Sequence, residues 1–453
     1  MKAIKNKIAV PEATNLLCLL LLIVLPVAGI WLGSRFLNRT RLDSPYRYNL
    51  IRSSSGTVTL ELGKEISFYQ QRIRQNPDGG LDRALLATAY LKMARASGDV
   101  SWYLLAEQAA QESLAKLPFN NEGAVLTLAK VAEARHDFAK AIELAQKAPS
   151  DNALGILVTA NLATGKVDKA NQAAETLVKR VPTLGSLTLQ ALVEVAQGKD
   201  KEAIQNLQQA IAIEEPGETG SSVWARVLLG RLYYRQGQLE QARTLYQEAL
   251  RITPQYSPAL LNLAQLEIRV GNYKAAEKLY GQFFQLVSKS PTVYDHVVWR
   301  GMARVQNLQG NFAEAKKWQS QAIAKLREDL VGFGHRKELA QLLLESDRKE
   351  SVAEALTLMQ EEVRDRRDTE TLATLALALG RSGRWQEAQQ VMNEARRWGI
   401  RDASILHQAG TIERELDNTS QANQFFRLAQ EIDPQFNTQA QKALGLGVGL
   451  GVN

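Results

Sequence analysis

The sequence predicts an all-α fold: a solenoid of about ten stacked helix pairs behind one apolar N-terminal helix. Three observations carry this prediction. Ala106, Ala141, Ala170, Ala203, Ala242, Ala276, Ala315, Ala355, Ala388 and Ala422 recur in steps of 29 to 40 residues, and self-similarity near 34 residues marks an array of helix pairs. Glycines 98, 165, 198, 237, 271, 310 and 383 punctuate the array, and prolines 118, 182, 254 and 434 each stand twelve residues after one of the alanines. The third observation is an uncharged run within residues 16–37.

The N-terminal elements come first. Residues 1–15 are a basic tail carrying Lys2, Lys5 and Lys7. Residues 16–37 hold about 19 uncharged residues before Arg35, close to the length that spans a ~30 Å hydrocarbon core at ~1.5 Å per residue. A signal peptide's apolar stretch is shorter, ~7–15 residues, and this one ends in arginines, so an uncleaved transmembrane helix is the reading preferred over a cleaved leader. Lysine and arginine number three before the span and five just after it, which favours a cytoplasmic repeat domain on a plasma, inner or thylakoid membrane. Residues 38–63 read as a polar spacer whose segment 56–62 (GTVTLEL) alternates like a strand. Residues 64–75 (KEISFYQQRIRQ) read as an extra helix before the array.

Within the array the clearest unit contains Leu229, Gly230, Tyr233, Gly237, Leu239, Ala242, Tyr246, Ala249 and Pro254. Leu229 and Tyr233 share one helical face; Ala242, Tyr246 and Ala249 share a face of the second helix. Small residues at 230 and 242 let two backbones approach, with aromatics beside them. Gly237 suits a left-handed helix end, and Pro254 stops the second helix. The skeleton returns in Leu263, Ala264, Gly271, Tyr273, Ala276, Tyr280 and Phe283, and again in Gly410, Ala422, Phe426, Ala429 and Pro434. With these residues in order, the chain resembles the tetratricopeptide repeat (TPR) family. The resemblance implies a right-handed superhelix with the first helix of each unit on its concave face. It also implies a protein that binds peptides. The unit around Ala355 lacks both turn glycine and closing proline, and the step after Ala141 is short.

Residues 214–222 (EEPGETGSS) interrupt the rhythm and read as a joint or ordered loop between an N-terminal half, 64–213, and a C-terminal half, 223–436. Residues 437–444 suit a closing helix, and the remainder up to 453 a glycine-rich tail.

The family's geometry places a basic band on the concave face: Arg231, Tyr234 and Arg235 from one unit, Asn262, Gln265 and Arg269 from the next, Arg300, Arg304 and Asn307 from a third. Arginines with amides and an aromatic between them suit bidentate grip on carboxylates or a peptide backbone. The alternative is a hydrophilic face whose arginines serve solubility. Asn262 could match an asparagine of the family's clamps for acidic C-terminal peptides. Val227, Val297 and Gly301 depart from that clamp, so its ligand is not carried over. Thr188, Leu189, Leu192 and Val195 form an apolar stretch, either a docking face for a hydrophobic helix or a surface buried by neighbouring units.

Little in the sequence points to chemistry. A net charge of +7 over 453 residues, without a recognition motif, does not mark a nucleic-acid binder. Cys18 is alone, and His136, His296, His335 and His407 stand at no metal-ligand spacing; His136 sits where a turn glycine belongs. GLGVGLG (444–450) follows no strand and lacks the lysine of a phosphate loop. We expect no enzyme, cofactor or metal. The expected function is a membrane-anchored scaffold or adaptor that grips peptide segments of protein partners, acidic ones among them, in assembly or regulation of a membrane-associated complex. Assembly factors of bacterial and photosynthetic membranes share this layout. So does a bacterial envelope regulator, but its paired-cysteine metal module is missing here. A self-associating, filament-forming repeat protein is the alternative, and an enzyme carrying repeats a third.

Overall fold

A computed structural model describes residues 55–441 except 149, 216, 288–291, 334, 347 and 438–439. The expected tail, transmembrane segment and Cys18, together with the glycine-rich C-terminus, lie outside the described residues. Among the described residues there are 21 helices, none long and apolar enough to cross a membrane. The one β-type contact among them is an isolated bridge between Asp99 and Thr292.

Helix α1 spans Ser55–Gln75. It absorbs the segment expected as a strand and moves the end of the expected spacer back to residue 54. The physical reason is packing: Leu62, Ile66, Tyr69 and Ile73 recur at helical spacing and lie against the core of the first pair, whereas a strand there would have no edge to join. The pairs follow as α2 Gly80–Ser97 with α3 Ser101–Lys116, α4 Glu122–Ala134 with α5 Phe138–Gln146, and α6 Asp151–Ala163 with α7 Val167–Arg180. Next come α8 Leu184–Ala196 with α9 Asp200–Ala212, α10 Thr219–Arg235 with α11 Leu239–Ile252, and α12 Ser257–Arg269 with α13 Tyr273–Val287. The last four are α14 Asp295–Leu308 with α15 Phe312–Phe333, α16 Arg336–Leu343 with α17 Lys349–Glu362, α18 Thr369–Arg381 with α19 Trp385–Arg396, and α20 Ala403–Glu415 with α21 Thr419–Ile432.

The repeated alanines set the register of this stack. Nine of the ten are 0–1 % exposed, and Ala315 is 9 % exposed. Buried to this degree between packed helices, they leave little room for a larger side chain. Gly230 shows the same demand from the facing helix: an added Cβ would lie 2.5 Å from the Tyr246 ring. The first-helix turn needs a left-handed residue, which Gly237 supplies at φ +72°. In the second unit His136 holds that conformation, at φ +61°. Glu214 and Ser222, at the two ends of the interrupted stretch, are joined through a buried ion pair. The Arg226 guanidinium, fully buried, donates to Glu214 at 2.8 and 3.0 Å, and Ser222 Oγ donates to the same carboxylate at 2.7 Å. Helix α10 begins inside this stretch.

The superhelix is wound tightly enough for later units to touch earlier ones. Val293 N–H donates to Gly98 O at 3.1 Å, and Arg367 N–H to Ala163 O at 2.8 Å. Arg397 Nη2 donates to Gly165 O across 232 positions, and Gly198 abuts the Gly399 carbonyl. Arg235 reaches Arg401 O and Asp402, and Arg269 reaches Asp433. These contacts form a seam: first-helix turns of the early units meet loops that follow second helices of the late ones. Trp398, from one such loop, packs on the cluster of Val158, Val167, Ala170 and Val193, against which Leu154, Leu157, Leu162 and Leu189 also lie. The apolar stretch of the concave face is thus covered: Thr188 is buried, and Leu192 and Val195 pack into the core of their own units.

Candidate functional site

The first helices α10, α12, α16, α18 and α20 converge on an interior cavity of about 80 Å3. Of the sequence-predicted band, Arg231, Tyr234, Arg235, Asn262, Gln265 and Arg269 line it. Arg300 and Arg304 lie beside it but not in its wall. Asn307, further along the same helix, is exposed.

The arginines are engaged by the chain's own carboxylates. Arg269 Nη2 donates to Asp433 Oδ2 at 2.5 Å, Nη1 donates to Tyr234 O at 3.0 Å, and the guanidinium stands 5.0 Å from the Tyr234 ring centre. Arg235 Nε meets Asp402 at 3.0 Å. Arg300 and Arg304 both donate to Glu345 Oε1, at 2.7 and 2.8 Å, and Arg300 also reaches Gln341. Burial opposes ionisation of Glu345, but the two guanidinium groups outweigh it and hold its carboxyl below the usual range. Burial lowers the proton affinity of Arg231, against an opposing pull from Glu370. Burial pushes the Tyr234 hydroxyl up to about 12. Asn262 turns back onto its own helix, donating to Pro258 O at 2.7 Å.

The result is a charge-balanced interior. Arg231, Arg235 and Arg269 face Glu370, Asp402 and Asp433 across the cavity. Such a wall can hold carboxylates, amides or a peptide backbone with directional hydrogen bonds. The carboxylate side was not visible in the sequence, because Asp402 and Asp433 meet their arginines from units far along the chain. Val227 is core, and Gly301 packs under Tyr280, which explains their departure from a clamp's polar pattern.

A second constellation was also hidden from sequence spacing. His136, His296 and His335 gather across the seam, with ring centres 6.4 Å apart for His136 and His335 and 4.8 Å apart for His296 and His335. Lys337, Glu338, Glu362 and Arg366 complete this cluster; His136 Nδ1 is 3.9 Å from Glu362, and Lys337 Nζ is 3.6 Å from Glu338. Burial lowers His136 to about 4 and His296 to about 3, and raises Glu362 to about 7. No metal-holding group of His, Cys, Asp or Glu occurs among the described residues. His407 packs instead against Phe426 and Phe436.

Stacked helix pairs around a lined interior define a helical-repeat scaffold suited to protein interaction. The chain belongs to the TPR proteins: a family profile described as the MalT-like TPR region matches residues 122–397. It is 28 % identical over 177 residues to human tetratricopeptide repeat protein 7B, covering 37 % of this chain and 20 % of that protein. It is also 41 % identical over 59 residues to the uncharacterized protein ycf37 of Pyropia yezoensis, covering 13 % of this chain and 33 % of the relative. The chain thus matches a fifth to a third of the length of these curated relatives. Among solved structures it is similar to a tetratricopeptide repeat protein from Parabacteroides merdae, with 17 % identity and a TM-score of 0.34 over 62 % of this chain and 98 % of that one. It is also similar to the human IFIT1 dimer with PPP-AAAA, with 18 % identity and a TM-score of 0.46 over 74 % and 77 % of the two chains.

Proposed function

We propose that this chain is a membrane-anchored TPR scaffold that binds peptide segments of partner proteins on the inner face of its superhelix, in the assembly or regulation of a membrane-associated complex. It acts by binding rather than by turnover. The observation that carries the reading is the convergence of Arg231, Arg235 and Arg269, from two successive first helices, on one cavity with amides between them. Residues 16–37 supply the anchor in this reading, and an inner or thylakoid membrane is its setting, with the repeats on the cytoplasmic side. Tethering to the bilayer raises the effective concentration of weak groove contacts.

The test is affinity capture from detergent-solubilised membranes, with partners identified by mass spectrometry. The wild type is compared with R231Q/R235Q, which keeps polar hydrogen-bonding side chains and removes both charges. Circular dichroism establishes that the variant is folded. Partners retained by the wild type and lost from the folded variant support the reading. Identical partner sets with both proteins overturn it.

A further inference from the structure

The chain's own carboxylates meet the arginines of the cavity from across the seam. Asp433, at the end of the last pair, and Asp402, at the start of α20, reach arginines 164 and 167 positions earlier. A second crevice of about 840 Å3 is lined from both sides of the seam, by Gly198, Asp200, Gln236 and Gly237 on one and Arg401 and Glu431 on the other. Along the seam four backbone carbonyls accept bonds across it, at Gly98, Ala163, Gly165 and Arg401, and Gly198 lies against Gly399.

We propose that Asp402 and Asp433 occupy the arginine band in place of a ligand's carboxylates, and that an acidic peptide segment enters the cavity when the seam parts. The inference rests on the groove reading above and specifies it. The partner presents at least two carboxylates, and its affinity carries the cost of displacing the two internal ones. A ligand that binds only the parted state shows an affinity reduced by the fraction of molecules in that state. Any change that parts the seam without touching the cavity therefore tightens binding. A segment with few acidic residues has no such exchange to make, because it leaves Asp402 and Asp433 without replacement for their pairs.

Gly198 offers that change. An added Cβ would lie 2.0 Å from the Gly399 carbonyl oxygen, a backbone atom, and Gly198 is outside the cavity wall. Gly383 is the matched control, because its φ of +76° equals Gly198's +71° in strain and an added Cβ there meets nothing within 4 Å. The probe is a fluorescein-labelled hexa-aspartate peptide read by anisotropy, with hexaserine as control. We expect G198A to bind about tenfold tighter than wild type, G383A to bind as wild type, and R231Q in the G198A background to lose the gain. Amide exchange at Arg367, whose N–H crosses the seam to Ala163 O, reports parting independently. It accelerates about tenfold in G198A and in D433N and stays at the wild-type rate in G383A. Faster exchange with unchanged affinity overturns the proposal and leaves the groove reading standing. Failure of every protein to bind the acidic probe, with exchange accelerated, overturns the acidic-segment reading of the groove as well. Unchanged exchange in both G198A and D433N overturns the seam as the barrier.

Discussion

Replacing Asp433 by asparagine removes one charge from a pair whose two side chains are only 3 % and 2 % exposed. The substitution keeps the volume and retains an oxygen to cap the Gln435 amide, which Asp433 Oδ1 accepts at 3.0 Å. What it leaves is Arg269 in the interior with its counter-charge gone and a single carbonyl, Tyr234 O, still accepting. Breaking a buried pair from one side costs about 3–5 kcal/mol, most of it the penalty of the stranded charge. Arg269→Met leaves the opposite charge stranded and costs a similar amount, also losing the stacking on Tyr234. The double variant R269M/D433N strands neither, so it should lose much less than the sum, with a coupling of about 2 kcal/mol or more. Equilibrium urea unfolding, followed by circular dichroism and tryptophan fluorescence, measures all four proteins. Because the pair joins units 164 positions apart, the single variants should also show a broader, less cooperative transition. A D433N protein within about 1 kcal/mol of wild type, or a double variant equal to the sum of the singles, would refute the reasoning.

Two further outcomes follow from the packing and the buried cluster. Gly410→Ala places a Cβ 2.6 Å from the Phe426 ring, so thermal unfolding should show a loss of about 1–3 kcal/mol, whereas Gly281→Ala, with open space around it, should not. In the histidine cluster the signs oppose. His136 and His296 have lowered folded values, so the unfolded chain binds protons first and stability falls as pH drops from about 6.5 towards 4. Glu362 is raised to about 7, so its contribution is complete below about 4.5 and is lost as pH rises through 7. Melting temperatures across pH 4 to 7 should therefore fall more steeply on acidification in E362Q than in wild type, and less steeply in H136Q; parallel profiles would reject this assignment.

The array itself was legible from single letters, because each unit repeats the same local problem of seating two helices against Ala242 or its equivalents. First-helix positions in register also grouped Arg231, Tyr234, Arg235, Asn262, Gln265 and Arg269, which the structure collects around one cavity. Three things were not legible. Residues 56–62 alternate over too short a stretch to separate strand from helix, and only the stripe continuing to Ile73 decides it. The partners of the arginines, Asp402, Asp433 and Glu345, carry no mark in a one-dimensional repeat, since nothing in the letters sets the pitch of the superhelix. For the same reason three histidines that look isolated in sequence share one buried cluster.

The seam also fixes how many units this chain can carry. In an open solenoid each repeat touches only its neighbours, so duplication or loss of a unit shifts the ends and little else. Here Gly98, Ala163, Gly198 and Arg269 must each meet a particular residue several units away. Inserting or deleting one helix pair anywhere between residues 98 and 433 would move at least one of those partners by a whole unit, and one between residues 269 and 293 would move all four at once. Duplication or loss of a unit inside the array would then yield misregistered proteins.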